Sequence, residues 1–243
     1  MELTVLGCGD AFGNAGRNNT AFLISEGEEH VLMDCGASTL IRLKHEKVDL
    51  EKISTIIITH FHGDHFGGIP FLLICCLFEQ RRKKPLKIIG PRGVRDQVYK
   101  LQEAMYPGTA EQLKELDLTF HEYAQDEPVD LDDKLLRVWE VDHSPVSVPH
   151  AIRLEWRNKK IAFSGDTSWT ENLIPLAKGA DVFICECNFI EKVSFGHLSY
   201  HELLEKRALL NCKQLWLSHM AQEVIEAENF ELNRLYDGKR MEF

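Results

Sequence analysis

The chain has 243 residues, 44% of them hydrophobic and 27% charged, an ordinary globular make-up that excludes a disordered, collagen-like or disulfide-dense protein. Lys and Arg total 28 against 38 Asp and Glu, so the formal charge of −10 repels nucleic-acid phosphates at long range and speaks against a nucleic-acid-binding protein without a local basic patch. The seven cysteines are an odd number set mostly in apolar runs, which points to reduced thiols and a cytoplasmic setting. The first residues lack a signal-peptide pattern, and the longest apolar stretch, Ile69–Phe78, is shorter than the about 20 residues of a membrane span.

In chain order, β-branched runs predict strands at Leu3–Leu6, Ala21–Ser25 and Val31–Asp34, followed by helical spacing at Thr39–His45. A strand at Ile53–Thr59, a helix at Ile69–Arg82, a strand at Leu86–Ile89 and a helix at Val94–Met105 continue the series. A short helix at Glu111–Glu115 precedes a strand at Leu118–Tyr123. Strands at Leu135–Val141, Ala151–Trp156 and Lys160–Ser164 read as a second set of hairpins. Helices at Glu171–Lys178, Ser199–Leu210 and Gln222–Leu235 then alternate with strands at Asp181–Cys185 and Gln214–Ser218. Hairpins followed by strand–helix–strand units, twice over, suggest two sheets with helices outside them in one domain, residues 1–243.

The basic cluster from Glu79 to Lys84 reads first as a solvated helix C-terminus, where cations complement the dipole, and second as a phosphate-attracting rim. The acidic cluster of Asp126, Glu127, Asp130, Asp132 and Asp133 reads as a solvated turn. Cys75-Cys76 and Cys185-x-Cys187 sit in apolar segments, where cysteine is a small buried hydrophobe.

The chemistry is concentrated in Ile56-Ile57-Ile58-Thr59-His60-Phe61-His62-Gly63-Asp64-His65, where an apolar strand runs out into four ligand-type side chains. Alternate residues at a strand end project to one side, so His60 and His62 suit one metal, and Asp64 and His65, past a turn at Gly63, suit a second. Imidazole and carboxylate donors suit zinc, manganese or iron. Desolvating so many titratable groups without a metal is costly.

This run resembles the HxHxDH signature of the metallo-β-lactamase fold superfamily. Its extension His62-Gly63-Asp64-His65-Phe66-Gly67-Gly68-Ile69-Pro70 resembles the ribonuclease Z branch and its phosphodiesterase relatives. Further motifs follow in family order, and the resemblance implies an αββα sandwich of α+β class. Val31-Leu32-Met33-Asp34-Cys35-Gly36 resembles the early Asp-x-Gly motif, which makes Asp34 a group that orients the ligand loop. The third ligand motif falls in Val141-Asp142-His143-Ser144-Pro145-Val146-Ser147-Val148-Pro149-His150. The strand position of His150-Ala151-Ile152-Arg153 favours His143 over His150 as the ligand. Ser164-Gly165-Asp166-Thr167 implies Asp166 as a carboxylate shared by two metals, and Leu215-Trp216-Leu217-Ser218-His219-Met220 nominates His219.

The resemblance therefore implies two divalent ions, zinc first and manganese second, with His60, His62, His143 and Asp166 around one and Asp64, His65, His219 and Asp166 around the other. Asp64 counts among the catalytic groups as well as the ligands. Asp181-Val182-Phe183-Ile184-Cys185-Glu186 resembles the ribonuclease Z strand that ends in His-Glu, with Cys185 in place of the His. Gly196-His197-Leu198-Ser199 resembles the His-Ser-Thr segment. These imply a hydrogen-bonded acid–base pair, Glu186 and His197, suited to protonating an alkoxide leaving group.

One departure bears on substrate. Ribonuclease Z carries its tRNA-gripping arm between the third His motif and Ser-Gly-Asp-Thr, and here Ser144 to Gly165 leave room for two strands and a turn. The length is similar to that of smaller phosphodiesterases, including enzymes that open cyclic phosphates. The expectation is a metal-dependent phosphodiesterase acting on a small molecule or a nucleic-acid end, away from membranes, with a homodimer left open. A tRNA 3′-processing endoribonuclease, a thioester or lactone hydrolase, and a non-catalytic metal-binding sensor are the alternatives.

Overall fold

The run Ile56-Ile57-Ile58 is wholly buried, as a strand covered on both faces must be. It closes an interior strand of the first of two units into which the computed structural model divides; the structure describes residues 1–192 and 194–243. This unit comprises Met1–Gly7, Asn18–Glu122 and Asp237–Glu242. Strands β1 (Glu2–Gly7), β2 (Ala21–Glu26) and β3 (Glu29–Met33) are an antiparallel meander. From β3 the sheet turns parallel through β4 (Ile53–Ile57), β5 (Leu86–Gly90) and β6 (Leu118–Glu122).

Helices α1 (Thr39–His45), α2 (Gly63–Phe66), α3 (Ile69–Ile74) and α4 (Val94–Met105) supply the crossovers. Leu43, Ile69, Leu72, Leu73 and Val98 pack with Leu32, Ile56 and Ile88 of the strands into one core. A parallel sheet needs such covering, because its strands present apolar side chains to both faces.

The second unit comprises Cys8–Arg17 and Tyr123–Tyr236, with Phe243. Its sheet starts antiparallel with β7 (Val129–Asp130), β8 (Lys134–Glu140), β9 (His150–Trp156) and β10 (Lys159–Phe163). It continues parallel through β11 (Val182–Glu186), β12 (Leu215–Ser218) and β13 (Asn233–Arg234). Helices α5 (Leu173–Ala177), α6 (Tyr200–Lys206) and α7 (Gln222–Glu226) join the parallel strands. Ser199 caps α6, its Oγ accepting from Glu202 N at 3.3 Å, as the Ser-x-x-Glu spacing predicts. Strand β14 (Arg240–Glu242) belongs to the first unit, where it pairs antiparallel with β1. Among the described residues no helix is long and apolar enough to cross a membrane.

Between His143 and Asp166 lie one 3-10 turn, Pro145–Ser147, and the β9–β10 hairpin. That hairpin turns on Arg157 and Asn158 alone, both at positive φ, 48° and 63°, as a two-residue turn matched to strand twist requires. The predicted arm-free connection is what the chain builds.

Four expectations change. Gly63 does not make a turn; it opens α2, with His62 at the N-cap position. The predicted helix Ile69–Arg82 is regular only to Ile74, then widens to a π-helical turn over Cys75–Glu79. The predicted helix Gln222–Leu235 stops at Glu226, and Asn233–Arg234 pair with β12 instead. The basic cluster is not wholly solvated: Arg82 is buried, and its guanidinium donates to the carbonyls of Leu50, Ile53, Lys84 and Pro85 at 2.6–2.8 Å.

Candidate metal centre

In both units the ligand-type residues stand where strands end at their carboxyl edge, the place where parallel sheets leave backbone and side chains open to a ligand. In the first unit, β3 delivers Asp34 and β4 delivers Thr59, His60 and His62. Asp34 is fully buried in the left-handed region, φ 58°, a conformation an aspartate adopts more readily than most residues. Its Oδ1 accepts from Thr59 N at 2.8 Å. Its Oδ2 accepts from Thr59 Oγ1 at 2.8 Å and from His65 Nδ1 at 2.7 Å. Burial pushes the Asp34 carboxyl above its usual range, opposed by the charge and hydrogen bonds of His65 and Thr59.

These bonds decide which ring nitrogen is offered. His65 Nδ1–H is given to Asp34, so Nε2 is the donor atom, 3.3 Å from Asp64 Oδ2. His60 Nδ1 bonds Thr59 Oγ1 at 3.0 Å, which turns its Nε2 to within 3.2 Å of His62 Nδ1. The loops that carry Asp34 and Asp64 touch backbone to backbone, with Cys35 N donating to His65 O at 2.6 Å. Gly36 permits this approach, since a Cβ there would lie 2.0 Å from Asp64 O.

In the second unit, β10 leads into Ser164-Gly165-Asp166, β11 ends on Glu186, and β12 leads into His219. His219 adopts φ 52°, a strained conformation for this residue that turns the chain at the strand end. Its Nε2 lies 3.1 Å from Asp166 Oδ2, and its Nδ1 lies 3.2 Å from the Asn188 amide. His143 gives Nδ1–H to Gly196 O at 2.8 Å, leaving Nε2 on the side of Asp166, 3.9 Å from Oδ2. His150 is differently placed, with Nδ1 bonded to Val148 O at 3.0 Å and its ring edge on Tyr123.

Glu186 is fully buried and held at both oxygens. Oε1 accepts from Thr167 N at 2.6 Å and from His197 Nδ1 at 3.0 Å, and Oε2 accepts from Leu198 N at 3.1 Å. The His197 ring stacks on His219, with centroids 5.4 Å apart and planes 11° from parallel. One ligand-type atom from each of Glu186, His197 and His219 falls within 4.8 Å of the others. Burial pushes the Glu186 carboxyl up, opposed by His197. Burial works against a charged His197 ring, but its bond to Glu186 and that carboxylate's charge outweigh it and hold the ring above the usual histidine range.

The donor set fits divalent metal ions: imidazole nitrogens and carboxylate oxygens, most of them buried, with far-side nitrogens fixed by Asp34, Thr59 and Gly196. Of these anchors, motif reading reached Asp34 alone. Thr59 and Asn188 stand next to motif residues with nothing in their type to mark them, and the Gly196 carbonyl acts through backbone, which no side-chain pattern records.

The model of a family described as Anti-Pycsar protein Apyc1 matches residues 1–234. The chain belongs to this family. Among curated proteins, ribonuclease Z of Halalkalibacterium halodurans is 29% identical over 274 residues, covering 91% of this chain and 88% of the relative. Among solved structures, human tRNase Z, short form, aligns with a TM-score of 0.79 at 24% identity over 100% of this chain and 99% of that one. YhfI of Bacillus subtilis, a metallo-β-lactamase fold protein, aligns with a TM-score of 0.78 at 23% identity over 99% of each chain. The fold is that of the metallo-β-lactamases, as the motifs imply, and this Apyc1 family member is a metal-dependent hydrolase of the ribonuclease Z-like group.

Proposed function

We propose that the chain hydrolyses a phosphodiester, using two divalent ions. By the motif resemblance, His60, His62, His143 and Asp166 would hold one, and Asp64, His65, His219 and Asp166 the other. Zinc suits the imidazole-rich sets best and manganese is the second choice. When bound, such ions supply positive charge to phosphate oxygens and a water acidified towards neutral pH.

The observation that carries the reading is the Glu186–His197 pair. Three donors besides any proton of its own fix the Glu186 carboxylate, so it holds Nδ1–H of His197 and favours the charged ring. Nε2–H of His197 is then free to protonate a departing alkoxide. A thiolate leaving from a thioester needs no such proton, which makes this pair idle in a thioester hydrolase. Support for a small diester or a nucleic-acid end, rather than a folded tRNA, comes from the two-residue β9–β10 turn and the charge of −10.

The test compares a diester with a p-nitrophenolate leaving group and one with an alkoxide leaving group. His197→Ala should cost about 10²–10⁴ in kcat on the alkoxide ester, far less on the p-nitrophenyl ester, with metal content unchanged. An equal loss on both would refute the general acid, and preference for a thioester over every phosphodiester would refute the substrate class.

A further inference from the structure

The two residues that follow Asp166 bind three other parts of the second unit. Thr167 N donates to Glu186 Oε1 at 2.6 Å, and Thr167 Oγ1 accepts from Asp142 N at 3.1 Å. Ser168 N donates to Asp142 O at 2.8 Å, next to His143. Ser168 Oγ accepts from Gly196 N at 2.6 Å, next to His197. We propose that Ser168 is a positioning residue whose hydroxyl, acting through Gly196, sets the general acid His197 and the ligand His143 together.

Gly196 is the junction. It is buried, and both of its polar groups are tied to the rest of the unit, N–H to Ser168 and C=O to Nδ1–H of His143 at 2.8 Å. Its φ is 86°, and a Cβ there would stand 2.6 Å from His143 Nδ1, so glycine alone lets the backbone come this close to the ring. The His143 and His197 rings meet edge to face, with centroids 5.0 Å apart. Beyond His197 the chain is fixed again, Leu198 N donating to Glu186 Oε2 at 3.1 Å and Leu198 O accepting from Asn188 N at 3.1 Å. His197 therefore stands between two anchors, and Ser168 supplies the first.

Deleting the Ser168 hydroxyl leaves a buried N–H without its acceptor, a cost that is relieved when the Gly196 peptide turns towards water. That movement carries with it the carbonyl that selects the His143 tautomer and the backbone from which His197 projects. A shift of about 1 Å at a positioned group costs about 10²-fold in rate. The kinetic part of this inference rests on the phosphodiesterase reading, in which His197 protonates the leaving group.

The test compares native protein with Ser168→Ala and with Ser168→Thr, which keeps the hydroxyl. At saturating zinc, Ser168→Ala should lower kcat about tenfold on a diester with an alkoxide leaving group, a fraction of the loss expected for His197→Ala, with KM unchanged. On the p-nitrophenyl ester kcat should stay within about twofold. Calorimetry should show one ion bound about tenfold more weakly and the other near native, and Ser168→Thr should restore both properties. In a His197→Ala background, Ser168→Ala should add nothing to the loss on the alkoxide ester while the weakened ion remains. A serine that serves stability alone would lower the urea midpoint and move neither the ester ratio nor zinc affinity. That result, an equal loss on both esters, or losses that add to those of His197→Ala would overturn the inference. Leaving-group dependence present in His197→Ala and absent in Ser168→Ala overturns this inference alone, and its absence from His197→Ala overturns the general acid as well.

Discussion

Exchanging Asp34 for asparagine isolates the control of a ligand's tautomer. Asparagine is at home at the φ of 58° that Asp34 adopts, so the backbone has no reason to move. One amide oxygen still accepts from Thr59 N, as Oδ1 does now. The amide nitrogen, however, cannot accept from His65 Nδ1 or from Thr59 Oγ1, the two bonds that Oδ2 receives. His65 is then driven to the tautomer with Nδ1 bare and Nε2 protonated, which closes the nitrogen proposed to face the metal. Second-layer changes of this kind cost about 10–100-fold in metal affinity. The two bonds that Oδ2 now receives are reversed rather than lost, the amide nitrogen donating to the bare Nδ1 of His65 and to Thr59 Oγ1, so metal-free stability falls by no more than about 1 kcal/mol. Chelator competition with zinc, read beside urea unfolding of the metal-free protein, measures both. The expected result is one weakened ion and one near native. His65→Ala is the control and should empty the same site. An Asp34→Asn protein that binds both ions within about twofold of native affinity would refute the tautomer argument.

Arg82→Met should lower stability by at least about 3 kcal/mol in urea without changing metal content, because four carbonyls lose a buried charged donor; a loss under about 1 kcal/mol would contradict the structural role. Thiol labelling of the native protein with Ellman's reagent should find Cys212 alone, the one half-buried cysteine, and all seven after denaturation. The other thiols are shut off by burial, which pushes Cys76 up to about 11 and Cys185 well above the usual range. Rapid labelling of two or more would show that this burial is not maintained.

What could be read from residues followed from the strength of local pattern. The run Ile56-Ile57-Ile58 announces a strand buried on both faces, and α4 shows its helical period over a full 12 residues, so both emerge where expected. The residues after Glu226 mislead because Leu232 and Leu235 continue a helical spacing from Val224, while β13 has too few residues to display a period of two. Arg82 misleads for another reason: charge predicts solvent, and only the convergence of two neighbouring carbonyls, Lys84 and Pro85, with two from a distant stretch, Leu50 and Ile53, reverses that preference. At the proposed site, motif order nominated His60, His62, Asp64, His65, His143, Asp166 and His219, and Glu186 and His197, nominated as a pair, lie 3.0 Å apart. The rest of the support, from Thr59, Gly196 and Asn188, depends on tertiary contacts formed by residues of no distinctive type.

The pairing of β14 with β1 governs how the first unit is made. Residues far apart in sequence lie side by side in one sheet, with Leu3 opposite Met241. During synthesis β1 and β2 emerge early, yet that edge of the sheet waits for Arg240–Glu242 to be made. Until then β1 presents open backbone amides and carbonyls beside wholly buried positions such as Leu3 and Val5. Such pairings of high sequence separation fold slowly, since loop closure precedes any gain from contact. A chain shortened before Arg240 would leave that edge open permanently, and self-association along β1 is the outcome its strand geometry favours.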